Sequence, residues 1–431
     1  MITATIGKIF LEAYNKKFGT KYDAKTFFVE VYHPLFFDSN KYLQWVQNSP
    51  FVQMKKGQKV ETLTAEERKE KLQDFFAKVD ECKNPDASIA PGFPASEEKE
   101  FATTSGQVTN LNLATSKDDI FLSWIGSSLG VGIKGGYLLL SEDEILLDLF
   151  DGWKLYRKVL NDNAQLKGNQ INAWNGQWLA HRYGKNYHQE WPMAEFNPFE
   201  TTNDGMSIAT LSWTIILIRI AQHFNDLKTM GYFYGFDQKT KLPITLGFIP
   251  INLEGIRCPV KLYQKFFGMK DNEDNKAELL WGTKYSLKES CKLGVIGINA
   301  MQPKDLEEYI TAKKSPQYDD KQEIIFKTYI IWLVAMLNNE ELWTKSKEFA
   351  SALQKFVKQD KSISTQGKNA VKAVLSATTK KNFISSLGDL IPDAEDVECF
   401  EATAKIIHLM PSDNVPYFLT LIRFQYAIIS K

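Results

Sequence analysis

From about Lys304 to the C-terminus, apolar residues recur at spacings of three and four, and the pattern is almost purely helical. That restricts the last part of the chain to packed helices. It predicts helices over Ile324–Leu337, Leu342–Val357, Lys368–Ser376, Lys380–Leu387, Ala402–Leu409 and Tyr417–Ile429, joined by short polar links, with Pro411 and Pro416 framing the last turn. The region before it mixes periods. Helical faces are read at residues 3–18, at Phe27, Phe28, Val31 and Tyr32 behind an Asp23 cap, and at Tyr42, Leu43, Trp45 and Val46. Pro34 is expected to end or kink the second of these. Further helices are predicted over residues 61–83 (stripe Leu72, Phe75, Phe76, Val79), 142–160, 207–230 and Leu253–Phe267, the last ending at Gly268. Strand-like runs lie at Gln107–Leu113, Tyr137–Leu140, Tyr232–Phe236 and Ile244–Ile251, the last two joined by a hairpin link. Residues 84–106, punctuated by Pro85, Pro91, Gly92 and Pro94, read as a long loop, and a polar, Asn-rich stretch runs from Asn161 to Pro198. The expected class is α+β: an irregular mixed α/β domain over residues 1–303, then an all-α helical bundle over residues 304–431.

Aromatic residues make up 13% of the 431, which excludes a disordered chain, and long heptad runs are absent, which excludes a coiled coil. The apolar runs Trp213–Ala221 and Ile324–Leu337 carry Arg219 and Lys327 and are too short to span a bilayer. The first residues have no basic stretch followed by an apolar run, so no secretory signal is expected and the cytoplasm is the default address. Cys82, Cys258, Cys291 and Cys399 form no CxxC pair, so neither a disulfide framework nor a zinc ribbon is expected. No cofactor is expected either.

The formal net charge is zero, which argues against a free-standing nucleic-acid binder. The charge is nonetheless sorted along the chain. Residues 152–189 hold six bases against Asp162 alone, and residues 344–388 hold nine lysines against Glu348 and Asp360. Residues 389–401 then hold six acids and no base. Lys345, Lys347, Lys355, Lys358 and Lys372 are candidates for a surface that follows phosphates; the alternative is a solvated helix face.

Gly130-Val-Gly132-Ile-Lys134-Gly135 matches G-x-G-x-x-G. A dinucleotide site needs that loop to open a helix, whereas Tyr137-Leu-Leu-Leu140 follows here. The alternatives are a turn-rich strand connection, or a loop that brings Lys134 close to nucleic acid. In Asn172–Arg182, two tryptophans alternate with amides and are followed by bases. Asn175 and Gln177 are candidates to read base edges, with Arg182 and Lys185 on phosphates; the alternative is a packed segment whose tryptophans are core. Asp86, Glu97 and Lys99 follow the order of a metal-dependent nuclease site, with charged loop residues as the other reading. No two of His33, His181, His188, His223 and His408 sit four apart on a helix, so no local metal site is expected.

Taken together, Phe121–Gly136, Gly152-Trp153, Tyr156-Arg157, Trp174–Trp178, Thr245–Pro250, Leu262-Tyr263, Phe267-Gly268 and Pro416–Ala427 resemble the large subunits of type I CRISPR surveillance complexes (Cascade). The resemblance implies an irregular α/β domain followed by a helical bundle. It also implies a non-catalytic role: recognising the protospacer-adjacent motif on duplex DNA, helping strand separation, supporting the displaced single strand and offering a docking surface to the helicase-nuclease. The implied partners are crRNA, target double-stranded DNA, the other Cascade subunits and that effector, with no membrane. Some members carry paired CxxC motifs, which this chain lacks. The rival expectations are a nuclease built on Asp86, Glu97 and Lys99, and a protein-only scaffold.

Overall fold

The computed structural model describes residues 1–46, 49–81, 115–203, 205–225, 228–236, 243–268, 282–358, 365–394 and 397–431. The expected loop at 84–106, the strand at Gln107–Leu113, Asp86, Glu97, Lys99, Cys82 and the link before Pro243 lie outside these residues. The fold is mixed and mainly helical, with a small antiparallel sheet and a helical C-terminal region, as expected of an α+β chain.

The chain divides into two compact units. The first comprises Met1–Ile251 and Leu287–Gly294, the second Asn252–Ser286 and Val295–Lys431. The change of unit therefore comes at the end of a strand, well before the expected 303/304 boundary. Its cause is the helix Leu253–Phe267, whose Phe266 stacks on Trp343 at 4.8 Å and so belongs with the later helices.

In the first unit, α1 (Ile2–Phe18) ends at Gly19 in a left-handed conformation. Asp23 caps α2 (Ala24–Phe27), accepting from the Thr26 amide. The helix does not stop at Pro34. It passes through a wide π turn, Phe28–Tyr32, into α3 (His33–Phe36), and the His33 amide donates to the Phe28 carbonyl five residues back. The wide turn gives the pyrrolidine ring room that a regular turn would deny it. Tyr42, Leu43 and Val46 are buried as expected, but in irregular chain rather than a helix. Their backbone is held from elsewhere: the amides of Asn169 and Ile171 donate to the carbonyls of Tyr42 and Leu43. α4 (Ala65–Glu81) buries Phe75 and Val79, yet Lys71 joins them while Leu72 and Phe76 stay half-exposed.

Next come α5 (Lys117–Ser128), the hairpin β1 (Val131–Ile133) and β2 (Gly136–Leu139), α6 (Asp143–Asp162) and α7 (Ile171–Arg182). α7 sits inside the stretch read as polar. The region expected as one helix over 207–230 is three elements. After β3 (Phe199–Thr202), β4 (Gly205–Ile208) precedes α8 (Trp213–His223), and β5 (Lys228–Phe236) follows. Ser212 starts α8 by accepting from the Thr214 amide, so a capping side chain overrides the apolar run. With β6 (Pro243–Asn252) the main sheet runs β1-β2-β5-β6, with Val131 opposite Leu138 and Gly136 opposite Gly235.

The second unit holds α9 (Leu253–Phe267); the short α10 (Leu287–Lys292) returns to the first. α11 (Leu306–Ile310), α12 (Glu323–Leu337), α13 (Glu341–Lys358), α14 (Thr365–Ser376), α15 (Lys380–Gly388), α16 (Val397–Leu409) and α17 (Val415–Ile429) follow the helical periodicity closely. α17 packs on α12 and α13, and the rings of Tyr309, Phe326 and Tyr329 surround Phe424.

Candidate nucleic-acid interface

Gly7, Gly126, Gly132, Trp174 and Trp178 are consumed by the first unit's own packing. A Cβ at Gly126 would lie 1.8 Å from the Thr3 carbonyl oxygen, and one at Gly7 would lie 2.1 Å from that of Leu122, so α1 and α5 cross backbone against backbone. A Cβ at Gly132 would meet the Asn172 carbonyl at 2.7 Å. The literal G-x-G-x-x-G is therefore a strand connection pressed against α7, and its last glycine leads into β2 rather than a helix. Only the turn, Lys134-Gly135, is exposed. The Lys134 amide donates to the Leu211 carbonyl at 2.8 Å, and Lys134 is the single cation of the hairpin, residues 131–139.

Asn175 cannot read a base edge, because it is fully buried. Its Nδ2 donates to the carbonyls of Ser128 and Gly130 at 2.7 and 2.9 Å, and its Oδ1 accepts from Trp153 Nε1. Trp174 and Trp178 are core, donating to the carbonyls of Gly152 and Asp148. Gln177 is half-buried and gives its Nε2 to the Ala209 carbonyl at 2.8 Å. Arg182 is committed as well. Its guanidinium pairs with buried Asp148 at 3.2 Å and lies over the Tyr187 ring. Burial pulls the Arg182 pKa down, and the Asp148 carboxylate and Tyr187 more than reverse it. Lys185 is exposed.

The two arginines of residues 152–189 are thus structural, while Lys158, Lys167 and Lys185 are exposed. Arg157 donates to the carbonyls of Leu35 and Lys41 at 2.6 and 2.8 Å, and Lys154 pairs with Asp151 at 3.0 Å. Lys41 and Lys71 act likewise on irregular chain, Lys41 on the carbonyls of Asn163, Ala164 and Leu166, Lys71 on those of Pro50 and Gln53. Segments without a backbone ladder need donors for their carbonyls, and these side chains provide them.

The lysines of the second unit are different. On α13, Leu342, Phe349, Leu353 and Phe356 face inward. Lys347, Lys355 and Lys358 are exposed, lie on the opposite face at helical spacing, and make no ion pair among the described residues. Lys345 is exposed but pairs with Glu348 at 2.9 Å. Lys372, on α14, is exposed and lines a cavity that Arg423 also lines.

Sequence reasoning passed over Arg423, although the signal was present: it is the single charged residue in the apolar α17. It is 5% exposed. Nη2 donates to Thr420 Oγ1 at 2.6 Å, while Nε and Nη1 are buried with no partner. Burial lowers its pKa to about 10, which leaves it charged at neutral pH.

Among the described residues, no three His, Cys, Asp or Glu side chains converge to hold a metal ion. His181 Nε2 donates to the Pro192 carbonyl, 2.9 Å away, and the ring stacks on Phe196. No helix among the described residues is long and apolar enough to cross a membrane. No protein-family profile, no curated protein and no solved structure matches this chain.

Proposed function

We propose that this chain is the non-catalytic large subunit of a type I CRISPR Cascade, and that it works by holding phosphates rather than by breaking bonds. The observation that carries the reading is the row Lys347, Lys355 and Lys358 on the outward face of α13. A single-signed row at that spacing suits a polyanion lying along the helix, and the displaced single strand is such a polyanion. The exposed Lys134 at the hairpin tip is the second contact, suited to the protospacer-adjacent motif region of duplex DNA or to crRNA. The acidic stretch 389–401 suits a neighbouring Cascade subunit or the helicase-nuclease. On this reading the protein works in the cytoplasm.

The test is fluorescence anisotropy of target DNA on the complex assembled with crRNA and its neighbouring subunits. Replacing Lys347, Lys355 and Lys358 by Glu is expected to weaken binding and to flatten the dependence of log K on log salt by roughly 2, at about 0.7 per single-strand contact. An unchanged slope removes the α13 assignment. A complex that binds target equally well without this chain removes the reading altogether.

A further inference from the structure

Arg423 is a charge enclosed by protein without a countercharge among the described residues, and that is costly. A guanidinium taken from water loses several kcal/mol of hydration unless a carboxylate or a full set of acceptors replaces it. Here one hydroxyl, Thr420 Oγ1, serves Nη2, and Nε and Nη1 are served by nothing. Burial is the only influence on its pKa. Folded proteins retain such a group where something else completes it.

What would complete it is indicated by the space beside it. Arg423 forms part of the wall of a cavity of about 500 Å³ between α14, α17 and the segment 312–318. Lys372 lines the same cavity, and no Asp or Glu does among the described residues. Of the two acids that follow this segment, Asp319 accepts from the Lys321 amide and Asp320 pairs with Lys431. Ser315, Ser376, Ser430 and Tyr426 also line it, and the Ser376 hydroxyl donates to the Ala373 carbonyl. The cavity is therefore lined by two cations and by hydroxyl-bearing residues, and by no acid among the described residues. A planar carboxylate has two oxygens in one plane, whereas a phosphoryl group presents oxygens in tetrahedral directions to donors around it.

We propose that this cavity is a phosphate-binding site, with Arg423 as the buried anchor and Lys372 as the solvent-side clamp. The bound phosphoryl group supplies the countercharge that Arg423 lacks, in a poorly screened setting where the attraction is strong. This inference does not rest on the Cascade reading, and it stands if the chain never meets crRNA. The phosphoryl group has two possible sources, a nucleic-acid backbone or a small phosphate compound, and the same experiment separates them.

The experiment titrates the full chain with inorganic phosphate, followed by calorimetry and by the thermal melting midpoint, with chloride keeping ionic strength constant. Phosphate is expected to raise the midpoint of the wild type. Arg423→Met is expected to abolish that rise and, without phosphate, to melt no lower than the wild type, because it removes an uncompensated charge. A merely structural arginine would give a lower-melting variant that keeps the phosphate response. Lys372→Ala, at an exposed position, provides a variant expected to fold, and should weaken phosphate binding on the order of tenfold, as loss of one charge-assisted hydrogen bond does. Adenosine monophosphate and an oligodeoxythymidine without terminal phosphates are then added as competitors. Displacement by the oligonucleotide identifies a backbone source; displacement by the monophosphate alone, or by neither, identifies a small-molecule source. No phosphate response in the wild type, a response retained in Arg423→Met, or an affinity unchanged in Lys372→Ala overturns the proposal.

Discussion

Arg157 in the α/β unit is half-buried and Arg423 in the helical unit is buried, and burial lowers both guanidinium pKa values to about 10. They differ in what surrounds them. Arg157 reaches the carbonyls of Leu35, Phe36 and Lys41 and the Asn161 side chain, so its donors are spent on the C-terminal carbonyls of α3, the irregular chain after it and α6. Arg423 reaches a single hydroxyl. The same residue type, half-buried in the first unit and buried in the second, is a fastener in one and an incomplete site in the other. Cationic composition therefore says little about function until the acceptors are known. Lys41, Lys71 and Arg182 strengthen the first half of that lesson, since each is held by carbonyls or by Asp148.

The sharpest way to break this contrast is to remove each guanidinium in turn. Arg157→Met is expected to cost about 4 kcal/mol in urea unfolding, because it orphans several carbonyls at once. Arg423→Met should leave unfolding at or above the wild type, and equal losses in the two variants would erase the distinction.

His33 extends the comparison to a base that can shed its charge. It is buried against Phe37 and Phe51, and burial lowers its pKa from 6.5 to about 4, only partly opposed by Asp38. The unfolded chain takes up this proton near pH 6.5, whereas the folded chain resists until about 4. His33's contribution is therefore complete above the first value and is lost as pH falls toward the second, for a total of up to about 3 kcal/mol. Urea midpoints of wild type and His33→Asn should converge across that window on acidification; a constant gap would refute it.

Asp148→Asn is the next smaller change. It removes the charge partner of partly exposed Arg182 and weakens the acceptor of the Tyr183 hydroxyl, for an expected loss of about 2 kcal/mol by thermal melting. Smallest of all for stability is the triple change of Lys347, Lys355 and Lys358 to Glu. It should leave the melting midpoint in place while altering nucleic-acid affinity, and a cooperative loss of folding would show that this face is packed.

The helical unit was largely legible in the sequence because period fixes which face of a helix is buried, as α13 illustrates, and because the apolar runs of α12 and α17 are buried nearly all round. In the α/β unit the pattern located buried residues better than it located elements. Tyr42 and Leu43 are core, but their backbone bonds to residues 169 and 171, a pairing that local periodicity cannot express. The same blindness explains Asn175. Amides beside tryptophans look like readers of bases until Ser128, Gly130 and Trp153 prove to be their partners. Lys134 and the outward lysines of α13 were legible as exposed because flanking residues fix them on a turn and on a polar face. Arg423 was visible as a charge in an apolar helix, but its lack of acceptors is a property of three elements meeting.

The crossing of α1 and α5 carries a last consequence. Because Gly7 and Gly126 each abut a carbonyl of the opposite helix, neither position has space into which variation can drift. A saturation mutagenesis survey should record two dead spots, far apart in the gene and adjacent in space. A neutral-looking alanine at either would separate the first helix from the rest of its unit.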